Sequence, residues 1–383
     1  MRWTRWRACC TPTCSPRKRT TTRAPTRVSE MAGSAGSGSA AIRPDVALAA
    51  SCAGLCVVGV ASLYLGAADI PPGDVFRVLL SRLPGLRPLT SPDAVFDASA
   101  AILFDVRLPR VLLAGLVGAA LAASGVVTQA VFRNPMADPF ILGVASGAAL
   151  GATSAFLIRA HWQWLGIGAV PTMAFAGAAG AMALLGLLAR GPRSGPAVLL
   201  LTGIALSSLL TSLTSLVIVF RERDVGRVLF WLMGSFSHAD WRRVAVVTIA
   251  SVVPMAVVLW HARELNAIVF GDEQAQHLGV DVRRVRRRLL VAVSLLTAAA
   301  VSACGIVGFV GLMAPHIVRL VVGPDHRGLT PVATVAGATL VMGVDTLART
   351  VLAPVELPVG AVLALLGGPF LIVLLRSRRA WNL

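Results

Sequence analysis

A chain of 383 residues that is 56% hydrophobic and only 14% charged, with a mean hydropathy of +0.76, is too apolar for a soluble domain of its size. The formal charge of +17 invites a nucleic-acid reading, but the basic residues gather in a polar N-terminal stretch and between apolar runs, where a membrane protein keeps its cytoplasmic arginines, so no nucleic-acid partner is expected. A single lysine, Lys18, excludes a G-x-x-x-x-G-K-[ST] phosphate loop, so any nucleotide that drives this protein binds to another chain.

Residues 1 to 30 carry Arg2, Arg5, Arg7, Arg17, Lys18, Arg19, Arg23 and Arg27 against Glu30, and lack the continuous apolar region of a signal peptide. Residues 1–40 are therefore expected to be a disordered basic tail, with Met31 as an alternative start. Cys9, Cys10 and Cys14 have no companion His or Cys for a metal site, and none is expected. From residue 41 onward, apolar runs of roughly 20 residues recur, each long enough as a helix to cross about 30 Å of hydrocarbon. They predict helices near 46–66, 108–132, 140–158, 167–189, 197–219, 242–260, 289–307, 309–322, 329–350 and 358–375. Period-two alternation is missing, which argues against a barrel. The fold class is an all-α polytopic membrane protein of about ten spans, with 41–383 as one domain. Cys52, Cys56 and Cys304 fall within apolar helices and read as small packing residues.

In the second helix, Gly115, Gly118, Ala122 and Gly125 share one face, a stripe of small residues that admits a neighbouring backbone. Gly143, Gly147 and Gly151 repeat the device at strict four-residue spacing. Between these stretches, "RNPMADP" marks a turn, because Pro135 and Pro139 interrupt a helix and Asp138 is suited to cap the next. "ASGVV" at 123–127 is echoed by "ACGIV" at 303–307, the kind of internal match an inverted repeat leaves. The fifth helix sets Ser208, Thr211, Ser212 and Ser215 on roughly one face, either lining a wet pathway or bonding backbone and neighbouring helices. Asp345 is the one carboxylate deep in a predicted helix, and an acid there calls for a partner. The blocks "RRVRRR" and "RSRR" flank helices directly and place both termini on the cytoplasmic side.

The stretch "LNAIVFGDEQAQHLGVDVRRVRRR" is the polar interruption that follows the sixth helix. Gly271 opens a short helix with Asp272 and Glu273 in its first turn, where the helix dipole favours acids. His277 sits in the last turn, Gly279 is placed to end it, and Asp281 caps a second helix that presents Val282, Val285 and Leu289. These signals predict a compact knob of two short helices within about 263–288.

Four motifs in order, "RLPRVLLAGLVGAALAASGVVTQAVFRNPMADPFILGVASGAALGA", "FWLMGSFSHADW", "GIVGFVGLMAPHIVRLVVGPDHR" and "ELPVGAVLALLGGPF", make the chain resemble the FecCD-type permeases of ABC importers for iron-siderophores, haem and cobalamin. The resemblance implies a cobalamin-permease-like subunit of the plasma membrane that pairs with a second copy or a paralogue. It also implies an ATPase dimer carrying ATP-Mg below, and an extracytoplasmic substrate-binding protein above. The chain itself is then no enzyme and binds no cofactor, and the metal chelate is moved inward by alternating access. Phe270, Gly271, Asp272, Glu273, Ala275, Leu278, Gly279 and Val280 correspond to the loop that meets the ATPase. Arg107, Arg110 and Arg349 correspond to arginines that receive acidic residues of the binding protein. The competing class is a proton-coupled secondary transporter, which is expected to carry several buried ionisable groups where only Asp345 stands out. A membrane enzyme is disfavoured because His161, His238, His261, His277, His316 and His326 are scattered without metal-site spacing.

Overall fold

The computed structural model describes residues 42–66, 70–81, 94–160, 162–164, 167–189, 195–220 and 225–376; the N-terminal tail with its three cysteines lies outside them. The helices are α1 (Pro44–Tyr64), α2 (Pro72–Ser81), α3 (Ala94–Ala101), α4 (Leu108–Phe132), α5 (Val144–Leu157), α6 (Ala169–Leu188), α7 (Pro196–Val219) and α8 (Val225–Leu232). They continue as α9 (Trp241–Trp260), α10 (Ala262–Phe270), α11 (Asp272–His277), α12 (Val282–Cys304), α13 (Val310–Val322), α14 (His326–Thr350) and α15 (Val359–Arg376). A π-helical stretch, Ile102–Arg107, joins α3 to α4, and a 3-10 turn, Pro139–Leu142, leads into α5. Among the described residues the only extended pairing is β1 (Gln163–Trp164) against β2 (Ile167–Gly168), antiparallel, with Trp164 opposite Ile167.

Eight helices are long and apolar enough to cross a membrane, and two shorter apolar ones, α5 and α13, accompany them. Each of the ten predicted segments holds a helix, although 140–158 opens with a 3-10 turn, 167–189 with β2, and 289–307 outruns its helix by three residues. The centre is α4, nearly all of which is buried, surrounded by α14, α12, α13 and α9. α1, α6, α7, α9 and α15 bury little of their length and form the periphery of the single chain. The small-residue stripe explains why α4 can be central. A Cβ on Gly118 would stand 2.2 Å from the Gly337 carbonyl oxygen of α14, and one on Gly125 would stand 1.9 Å from that of Gly311 in α13. Gly147 and Gly151 do the same for α5 against α6.

Several expectations are corrected. Gly143 does not belong to that packing face; it is the turn residue between the 3-10 segment and α5, with φ +84°. Cys52 and Cys56 are exposed on α1, and only Cys304 is buried. Between α1 and α4, where no span is predicted, lie α2, α3 and the π-helical stretch. α12 begins at Val282, so the second helix of the knob is the first turns of a 23-residue helix rather than a separate element. That helix stops at Cys304 because Gly305 takes φ +81° with no room for a side chain against the Trp231 carbonyl. Residues 305–309 then run unwound to Phe309, which seats its ring where a Cβ on Gly367 of α15 would fall.

Candidate functional site

Opposite ends of α4, about 37 Å apart at 1.5 Å per residue, carry two polar clusters. At the C-terminal end, α10 turns off α9 and packs Leu265 and Ile268 inward, both fully buried. Asn266 fastens this helix to the start of α14. Its Nδ2 donates to Asp325 Oδ1 at 2.7 Å, and its Oδ1 accepts from the His326 backbone N–H at 2.9 Å. Asp325 in turn caps α14 through the Arg327 N–H, and these two donors hold its carboxyl below the usual carboxylate range.

The α11 helix begins as the sequence predicts, with Asp272 and Glu273 in its first turn behind Gly271. Asp272 is clasped from two sides. Arg286 Nη2 reaches both of its oxygens at 2.8 and 2.9 Å, and Arg133, just past α4, donates from Nη2 at 3.3 Å. Gly279, at φ +82°, closes α11: its N–H meets Gln276 O at 2.9 Å and that of Val280 meets Ala275 O at 3.0 Å, the paired bonds of a left-handed helix stop. Asp281 then caps α12 by accepting from Arg284 N–H. Ala275 is wholly buried and serves the knob's own packing, whereas Glu273 and Gly279 are exposed and Val280 is half-buried. Phe270 and Leu278 are 74% and 72% exposed on this otherwise pinned element. Two large apolar side chains are thus left uncovered on a rigid support.

At the other end, Arg107, Arg110 and Arg349 are gathered together but are not exposed anchors: their relative exposures are 3%, 6% and 4%. Arg107 Nη1 donates to Leu63 O at 2.7 Å and Tyr64 O at 3.0 Å, and Arg349 Nη2 donates to Ser62 O. These are the last carbonyls of α1, which lack intrahelical partners, so two guanidinium groups satisfy the helix end and its negative dipole. Arg110 forks between two acids. Nε and Nη2 hold Asp345 at 2.9 to 3.2 Å, and Nη1 holds Glu356 at 2.9 and 3.0 Å. Asp345, the acid a proton-coupled reading rests on, is therefore a fully engaged ion-pair member. Glu356 keeps 34% of its side chain exposed and is where this buried network reaches solvent.

The Ser/Thr face of α7 lies on the outside of the single chain. Ser208, Thr211, Ser212 and Ser215 are all exposed, and the three serine hydroxyls bond back to the carbonyls of Ile204, Ser208 and Thr211. Sequence reasoning missed Glu356, Asn266, Arg133 and Arg286. Each acts through a partner 14 to 246 positions away, and no local pattern signals such pairs.

Comparison with known proteins adds an independent finding. Residues 54–377 match the FecCD transport family. The chain is 45% identical over 283 residues to the cobalamin import system permease protein of Halobacterium salinarum, covering 74% of this chain and 75% of that one. It is 41% identical over 286 residues to the hemin transport system permease protein of Yersinia pestis, covering 74% and 85%. Among solved structures, it superposes on a chain of an inward-facing, metal-chelate type ABC transporter with a TM-score of 0.74 and 31% identity, covering 87% of this chain and 99% of the other.

Proposed function

The chain belongs to the FecCD transport family and is the transmembrane permease subunit of a metal-chelate ABC importer whose ATPase is a separate protein, and from that premise we propose how its two polar ends divide the work. The knob of residues 263–288 is the coupling element. Phe270 and Leu278 enter a cleft of the ATPase, while Gly271, Asp272 and Gly279 fix the shape that presents them and Glu273 lies at the rim. The observation that carries this reading is the exposure of those two apolar side chains on an element pinned to α4, α12 and α14. Because the pins reach the helix at the centre of the bundle, a push on the knob shifts the packed core rather than a free loop.

The arginine end is the docking face for an extracytoplasmic binding protein. Glu356 forms its exposed edge, and an incoming carboxylate competes with Glu356 for the Nη1 donor of the buried Arg110 behind it. Arg107 and Arg349 act from behind by fixing the end of α1. Two permeases, either copies or paralogues, enclose the pathway, and the hydroxyl face of α7 lines it. In this scheme the protein lies in the plasma membrane with ten spans arranged as an inverted repeat and both termini in the cytoplasm. The cargo is an iron-siderophore, haem or cobalamin-class chelate, in keeping with relatives named for cobalamin and hemin.

Reconstitution in proteoliposomes with the ATPase and binding protein tests the scheme. Chelate uptake should require ATP on the knob side and binding protein on the arginine side. Uptake driven by a proton gradient without ATP would overturn it.

A further inference from the structure

The motif ending in "RLVVGPDHR" builds a feature that coupling and docking leave unused. A cavity of about 490 Å³ opens between the C-terminal end of α4, the α10 helix and the turn joining α13 to α14. We propose that it is a binding site for a phosphoryl anion bearing a hydroxyl group, held by Arg319 with help from Arg133.

Arg319 lines the cavity and is 92% buried, at 8% relative exposure. Among the described residues its protein acceptor is Gln129, reached from Nη2 at 3.0 Å. The orientation of that amide is fixed, since Gln129 Nε2 donates to Gly311 O at 3.1 Å. Among the described residues one neutral oxygen is all that answers this largely buried guanidinium, and its Nε and Nη1 donors keep some accessible surface, open to a ligand. Arg133, which also donates to Asp272 at 3.3 Å, adds a second guanidinium to the same wall. The acid of the lining, Asp325, has its Oδ1 committed to Asn266 and to the Arg327 N–H, and among the described residues no ion pair joins it to Arg319.

His326 selects the class of anion. It is 4% exposed and forms part of the lining. Its Nδ1 lies 2.8 Å from Asn266 Oδ1, an amide oxygen that can only accept and whose position is fixed by the donation of Asn266 Nδ2 to Asp325. The network therefore assigns the proton to Nδ1 and leaves Nε2 a buried acceptor with no partner among the described residues. A ligand with an anionic oxygen for Arg319 and an O–H for Nε2 satisfies both. Hydrogen phosphate has these groups, and so does the phosphoglycerol headgroup of an anionic lipid; chloride and an ionised simple carboxylate lack the O–H. Such a ligand would brace the root of the knob, because α10 supplies one wall. The proposal concerns binding alone and stands whether or not the knob meets an ATPase.

The test uses the purified full-length permease, stripped of lipid. Thermal unfolding is followed against sodium phosphate and against sodium chloride at equal ionic strength. In parallel, native mass spectrometry from nanodiscs compares retention of phosphatidylglycerol with that of phosphatidylcholine. A saturable stabilisation by phosphate identifies the free anion, and selective retention of phosphatidylglycerol identifies the lipid. In either case R319Q should weaken binding about tenfold or more, the effect of losing a charge-assisted hydrogen bond. R133Q, which leaves the Arg319–Gln129 bond intact, should weaken it less and serves if R319Q folds poorly. The proposal fails if neither ligand binds the wild-type protein, or if binding is unchanged in both variants.

Discussion

Removing the Asp345 carboxylate should be among the most damaging single changes at the arginine end. Arg110 and Asp345 have side-chain exposures of 7% and 2%, so the pair is shielded from water. D345A deletes the acceptor of Nε and Nη2 and leaves a buried guanidinium with Glu356 as its remaining counter-ion. Breaking a buried pair from one side costs about 3 to 5 kcal/mol. Because Glu356 persists, the lower end, about 3 kcal/mol, is expected for D345A. E356Q removes the partner that is 34% exposed and leaves Asp345 bidentate, so about 1 kcal/mol or less is expected. The double change R110M/D345L removes both charges and should recover most of the D345A loss. Denaturant unfolding of the purified variants in detergent measures all three. If D345A is as mild as E356Q, the assignment of Arg110 and Asp345 as a shielded pair is wrong.

Gly279 has φ +82° and nothing within 4 Å of where a Cβ would lie, so substitution there acts through the backbone alone. G279V should strain the turn by about 1 to 3 kcal/mol and reduce co-purification of the ATPase, while G279N, which tolerates this conformation, stays near wild type; equal behaviour of the two would remove the strain argument. G125A puts a Cβ 1.9 Å from Gly311 O and should sharply lower folded yield, whereas G54A on α1, with open space around it, should be silent. Asp325 has a depressed folded pKa, so its stabilising contribution is complete above the ordinary carboxylate range and is lost as pH falls through the folded value; D325N should flatten the acid limb of the stability profile below about pH 4.

The apolar helices and their local punctuation were legible in the sequence because hydropathy and capping are short-range signals. Asp138 does cap the turn before α5, Asp281 does cap α12, and Gly279 does end α11. What escaped depends on distant partners. The basic run "RRVRRR" reads as a solvated flank, yet Arg286 folds back onto Asp272 and its residue is 8% exposed. Arg107, Arg110 and Arg349 read by resemblance as residues that receive a partner's acids, but the last carbonyls of α1 and the acids Asp345 and Glu356 draw them inward. The unwound stretch 305–309 was invisible because "GIVGF" is as apolar as the helices beside it, and only the crowding of Gly305 by Trp231 O shows why it cannot coil.

Coupling through the knob is tested most directly by the affinity of the purified F270E/L278E permease for its ATPase, measured alongside its thermal stability. Both side chains are largely exposed, so the unfolding temperature should stay at the wild-type value. ATPase binding should fall at least about a hundredfold, the loss expected when two apolar anchors of an interface become charges facing a dry cleft. Wild-type ATPase affinity in this variant would contradict the placement of the interface on the knob.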